Sequence, residues 1–215
     1  MNIAFIRIIG IVVYLYLVWR NMKDEYDSEK MIAFGWLSFF WFLVGGRAIF
    51  GIFNWGVFNN NWMDWLSVWT CPGFSYFGGF VAVLLFAWWY VSKNTWKFYP
   101  FLESLTPNFL WLILFLWVDQ WLLGAYDSWL LTKILLIILM LFLTRFFRLK
   151  YRSWVFYKSG KKGFVFLMTA FVYFLLLSIF SVILKIGVVY SVLYFICSLL
   201  FVFQLVILGE ICQKK

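Results

Sequence analysis

The chain contains no histidine, three prolines, three cysteines and only nine acidic residues in 215. Without histidine no imidazole can act as a general base or metal ligand, and Ser-His-Asp or Cys-His catalysis is excluded outright. The cysteines at 71, 197 and 212 have no CxxC or metal-ligand spacing, and their placement makes neither a disulfide framework nor a metal site. So few prolines, none in matching halves, argue against the broken-helix symmetry of a transporter. No phosphate-cradling glycine loop and no repeat array occurs. Charged residues make up just 13% of the chain, far below a soluble domain.

What fills the space is apolar: 66% of residues are hydrophobic and 26% aromatic. Apolar runs of bilayer-spanning length recur, which predicts an all-α, polytopic membrane protein. A transmembrane barrel would need alternating segments of about ten residues, and none appear. Seven spans are expected, over 3–19, 31–53, 76–92, 101–124, 128–149, 163–185 and 187–208, forming one transmembrane domain over 1–215. The first has no small-residue cleavage site and is followed by further spans, so it reads as a retained span rather than a signal peptide.

Basic residues set the expected orientation. The segments 20–30, 93–100 and 145–162 and the tail at Lys214-Lys215 together hold fourteen of the eighteen Lys and Arg, whereas the alternate loops hold only Lys185. The positive-inside rule then places the N-terminus outside and the C-terminus in the cytoplasm. The net charge of +9 belongs to orientation and to contact with anionic lipid, not to nucleic acid. The basic loop at 145–162, with Phe146, Phe147, Tyr151 and Trp154 interleaved, reads as a cytoplasmic surface on headgroups.

One outer stretch stands apart. Residues 54–75 carry Trp55, Trp62, Trp65 and Trp69 among asparagines, with no Lys or Arg. Tryptophan concentrates where an apolar ring and a wet N–H are both satisfied. The segment reads as an interfacial arm, with a short amphipathic helix over 61–69. It is either a simple anchor or an arm gripping lipid or peptide. Before it stands Gly45-Gly46-Arg47 and after it Ser75-Tyr76-Phe77-Gly78-Gly79. An arginine in an apolar run marks a surface facing protein or water, and paired glycines permit close backbone approach. Arg47 is either a helix-pairing or snorkelling charge or a ligand-holding one.

This order resembles the bacterial prolipoprotein diacylglyceryl transferase family: Gly-Gly-Arg, an aromatic outer arm, Val-Trp, a Gly-containing turn, then Ser-aromatic-His-Gly-Gly. Phe77 stands where that family has its histidine. Glu103 precedes Pro107 as an acidic residue precedes a proline in the family, with no gap between Gly79 and Pro107. The family's signature, Gly-Arg-Ile-Gly-Asn-Phe-Ile-Asn-Gly-Glu, is replaced over residues 116–125: only Gly124 survives, Gln120 is a polar stand-in for asparagine, and Trp117 takes the arginine position. In the sixth span the glycine entry and Tyr173 match, while Leu177 and Ser181 replace an arginine and a glutamate.

The resemblance implies a multi-pass protein of the cell membrane that moves a diacylglyceryl group from phosphatidylglycerol to the cysteine of a lipoprotein signal peptide, with no cofactor or metal. That reaction needs an activated thiol and cations for the departing glycerol phosphate. It marks Arg47, Tyr76, Gly78, Gly79, Gln120 and Gly124 as lipid-binding candidates. The acidic candidates within spans are Glu103 and Asp119. Arg47 and Asp119 could form an intramembrane ion pair, or Arg47 could hold a lipid phosphate while Asp119 or Glu103 takes a proton. Two functions are therefore open: a membrane transferase with lost or altered activity, and a non-catalytic lipid-binding protein on the same scaffold.

Overall fold

A computed structural model of the protein describes residues 4–54, 56, 73–124, 127–151 and 162–210. Among them run seven helices and no strand: α1 Ala4–Met22, α2 Ser28–Phe53, α3 Tyr76–Lys93, α4 Phe98–Leu122, α5 Ser128–Lys150, α6 Phe164–Ile183 and α7 Val188–Glu210. Each expected span overlaps one helix. Six helices are long and apolar enough to cross a bilayer, and in α1 the apolar stretch Ile8–Met22 is shorter. The interfacial helix expected over 61–69, most of the basic loop, and Cys71 and Cys212 lie outside the described residues.

Short polar residues mark where helices begin. Asp27, Ser75 and Asp127 each accept a hydrogen bond from a backbone N–H in the first turn, at Glu29, Gly78 and Trp129 respectively. This satisfies donors that an apolar medium would leave bare. Residues in the left-handed region mark the ends: Thr95 (φ 57°), Gly124 (φ 91°) and Lys185 (φ 53°) follow α3, α4 and α6.

The chain forms two compact units, Val18–Phe98 and Met1–Leu17 with Tyr99–Lys215. In the first, α2 packs against α3 through glycine. A Cβ on Gly45 would lie 2.8 Å from the Gly78 carbonyl oxygen, and one on Gly78 would lie 2.6 Å from that of Gly45. Backbone therefore meets backbone, as in small-residue membrane interfaces. Phe42 closes the same seam over Gly79, and Phe34, Phe86 and Tyr90 stack further along it.

In the second unit α6 packs against both α5 and α7. Buried hydroxyls join these helices: Thr144 and Thr169 lie 3.3 Å apart between α5 and α6, and Ser181 and Ser191 lie 2.6 Å apart between α6 and α7. Ser178 also donates to the Ser191 carbonyl at 3.0 Å.

The glycine seam yields a direct test. Gly78→Val drives methyl groups into the Gly45 carbonyl and should destabilise the protein by about 1–3 kcal/mol, read as a lower unfolding midpoint in detergent. Gly56→Ala, at a site with nothing within 4 Å, should stay within about 0.5 kcal/mol.

Candidate functional site

The residues between α2 and α3 come together as the sequence places them. The chain before α3 folds back onto the C-terminal half of α2: Ser75 N–H donates to the Gly46 carbonyl at 3.0 Å. The Phe74 ring covers Gly46 and the Phe50 ring covers Gly73, where no side chain could fit. Arg47 is buried, at 7% exposure, and its Nη1 donates to the Gly73 carbonyl at 2.9 Å while its guanidinium stands 5.9 Å from the Phe50 ring centroid. This contact ties the turn before α3 to α2. Tyr76 packs against Phe42 and Phe74, and half-buried Phe77 takes the next position. Gly78 and Gly79 are buried in the helix seam. The candidates Arg47, Tyr76, Gly78 and Gly79 thus form one cluster, and Arg47 has a carbonyl partner that lies far from it in sequence.

A second group of candidates occupies the C-terminal end of α4. Trp117 and Asp119 are buried, at 3% and 0% exposure. Gln120 is half-buried. Gly124 lies just past the helix, its N–H donating to the Trp121 carbonyl at 3.1 Å, and its left-handed φ gives this glycine a helix-ending role. Above the Trp117 ring stands a cation from α5: Lys133 Nζ is 5.7 Å from its centroid. Lys133 is recognisable from the sequence only as an ionisable residue within a span; its partner ring comes from another helix.

Glu103, the other acidic candidate, is not at that end. It precedes Asp119 by sixteen residues on one helix, which separates them by about 24 Å at 1.5 Å per residue. Its carboxylate accepts a short hydrogen bond from the backbone N–H of Gly163, the N-cap of α6. A carboxylate there meets the positive end of the helix dipole. Gly163 adopts φ 121°, and a Cβ on it would strike Tyr99. Pro107 lacks the N–H that would bond to the carbonyl four residues back, which is that of Glu103 itself. Arg148 Nη2 fills the vacancy, donating to the Glu103 carbonyl at 2.6 Å. Glu103 therefore joins α4 to the end of α5 and the start of α6.

In α6, Leu177 is buried in packing and Ser181 is fully buried, bonded to Ser178 and Ser191. Tyr173 packs edge-on against Phe174. Among the described residues no group of three or more His, Cys, Asp or Glu gathers to hold a metal.

Comparison with known proteins gives one family: residues 3–118 match the model described as "Prolipoprotein diacylglyceryl transferase". No curated protein matches the chain. The matched region runs from α1 through Val118 and includes both the Arg47 cluster and Glu103.

The proline–arginine complement can be checked by a double-mutant cycle. Arg148→Ala should destabilise the protein by about 1–3 kcal/mol by stripping a buried carbonyl of its donor. In a Pro107→Ala background, where residue 107 regains its N–H, the same change should have a smaller effect. Equal effects in both backgrounds, measured by unfolding in detergent, would refute the link.

Proposed function

Because the chain belongs to the prolipoprotein diacylglyceryl transferase family, we propose that it handles phosphatidylglycerol on that family's scaffold in a bacterial cell membrane and has lost the family's histidine-based transfer step. Its function is prolipoprotein diacylglyceryl transferase-like at the level of the family, with lipid and lipoprotein as the substrate class. The observation that carries the finer reading is the set of residues at the family's reactive positions. Phe77, Trp117, Leu177 and Ser181 stand where the resemblance puts histidine, two arginines and a glutamate. Trp117 and Leu177 are buried apolar side chains, and Ser181 is bonded to its neighbours. None can take a proton from a thiol, whose ordinary pKa of about 8.5 leaves it a weak nucleophile at neutral pH unless a base or cation assists.

A second reading, altered rather than lost transfer, draws on Lys133. Its ammonium beside Trp117 would oppose the charge on a departing glycerol phosphate. Arg47 supports either reading: a lipid phosphate could share the guanidinium with the Gly73 carbonyl.

The proposed topology is seven spans with the N-terminus outside and the C-terminus cytoplasmic. It follows from the distribution of Lys and Arg. In a background lacking the three native cysteines, a membrane-impermeant maleimide should label Gly56→Cys but not Lys158→Cys in intact cells. The reverse pattern would invert the topology.

Activity is tested by reconstituting the protein with phosphatidylglycerol and a lipobox-containing signal peptide. Mass spectrometry then looks for a diacylglyceryl thioether on the peptide cysteine. The expected result is retained phosphatidylglycerol and no thioether. Product that disappears on Lys133→Met or Arg47→Ala would replace loss of the step with a site rebuilt without histidine.

A further inference from the structure

Where α6 ends and α7 begins, three buried serines meet: Ser178 and Ser181 on α6 and Ser191 on α7. They border a cleft of about 470 Å³ whose apolar wall includes Val182, Val192 and Phe195. Small-ligand sites span roughly 300–1,000 Å³, so the cleft has room for part of an amphiphile. Gly187, half-buried, and Lys185, exposed, edge it from the turn between the helices. A lysine so exposed keeps its ammonium in water. The cleft lies beyond residue 118, outside the stretch matched to the family.

The serine contacts outnumber the protons available to make them. Each hydroxyl has a single O–H to donate. Ser178 reaches the Ser191 carbonyl at 3.0 Å, Ser181 the Ser178 carbonyl at 2.8 Å and Ser191 the Gly187 carbonyl at 3.0 Å. The remaining contact, Ser181 Oγ to Ser191 Oγ at 2.6 Å, is a hydroxyl hydrogen-bond distance and needs a proton of its own. If Ser181 supplies it, the Ser178 carbonyl loses its hydroxyl donor; if Ser191 supplies it, the Gly187 carbonyl does. Ser181 has no exposed surface, whereas Gly187 lines the cleft, so the missing donor can arrive from the cleft only at Gly187. A carboxylate or phosphate would bring acceptors to a cluster that is short of a proton. A hydroxyl brings the proton with it, and the apolar wall takes a hydrocarbon chain.

We propose that this cleft binds the head of an uncharged lipid alcohol, whose hydroxyl donates to the Gly187 carbonyl while its chain lies along Val182, Val192 and Phe195. Ser191 then gives its proton to Ser181 Oγ, Ser181 gives its own to the Ser178 carbonyl, and every contact in the cluster has a proton. Ser181 is a positioning residue: it never meets the ligand, but by drawing the Ser191 proton it frees the Gly187 carbonyl. The inference goes beyond the phosphatidylglycerol reading and does not depend on it, because the ligand carries no phosphate and the site uses no cation.

Native mass spectrometry of the full chain with oleyl alcohol, its methyl ether or oleate tests this, because the probes share one chain and differ at the head. The wild type should retain the alcohol over the ether by about fivefold, equivalent to ~1 kcal/mol and within the worth of one hydrogen bond. Val192→Trp, at an exposed wall position, fills the cleft, keeps every hydroxyl and should abolish retention. The two serine variants should behave oppositely. Ser181→Ala leaves Ser191 free to serve Gly187 and should bring alcohol and ether to near equality, whereas Ser191→Ala leaves the Gly187 carbonyl open and should keep the preference. Equal effects of these two changes, or retention untouched by Val192→Trp, overturn the proposal. So do equal retention of the ether by the wild type, which would assign the cleft to the chain alone, and stronger retention of oleate, which would assign it to Lys185. A dimer in place of the ligand would assign it to a second copy of the chain, and no retention at all would leave it to water; either result overturns the proposal. If the serine variants do not fold, the three probes on the wild type and on Val192→Trp decide. Phosphatidylglycerol retention should be unchanged by Val192→Trp, which keeps failure here apart from failure of the lipid-handling reading.

Discussion

In a bilayer, burying leucine against leucine offers little that acyl chains do not already provide, so apolar area cannot choose which helices pair. In a chain that is 66% hydrophobic, the choice falls to two other interactions: close approach of backbones and the satisfaction of polar groups. The α2–α3 seam shows the first, with Gly45 and Gly78 each facing the other's carbonyl. The second appears wherever a backbone group would otherwise face lipid unpaired. Gly163 N–H meets Glu103, the Glu103 carbonyl meets Arg148, and the Gly73 carbonyl meets Arg47.

That constraint changes how charged residues within spans are understood. Such residues are functional candidates by default, and on that ground Arg47, Glu103, Asp119 and Lys133 look alike. Their surroundings separate them. Glu103 accepts a helix N-terminal N–H, and its own carbonyl is freed by Pro107; both facts explain it without a substrate. Arg47 holds the turn that delivers Ser75 to cap α3. Lys133 stands beside two aromatic rings, those of Trp117 and Trp129.

Trp117, Leu177 and Ser181 follow the same constraint, because each packs or bonds locally. Trp117 and Leu177 join the buried core, and Ser181 completes a hydroxyl contact between α6 and α7.

The helices and the family were legible in the sequence because their causes are local. Span length, hydropathy and capping residues such as Asp27, Ser75 and Asp127 act within a few residues, and the ordered Gly-Gly-Arg, Ser-aromatic and Glu-Pro elements survive as strings. The cluster of Arg47 with Gly78 and Gly79 was also foreseeable, because the chain turns back within one hairpin. The partners of the charged residues were not. Arg47 meets a carbonyl twenty-six residues away, Glu103 meets an N–H sixty residues away, and Lys133 meets a ring on the preceding helix. Each partner is a backbone group or an indole of the kind that recurs throughout this chain, so no residue type signals it. Only helix packing, by bringing one particular carbonyl, N–H or ring within reach, selects among them.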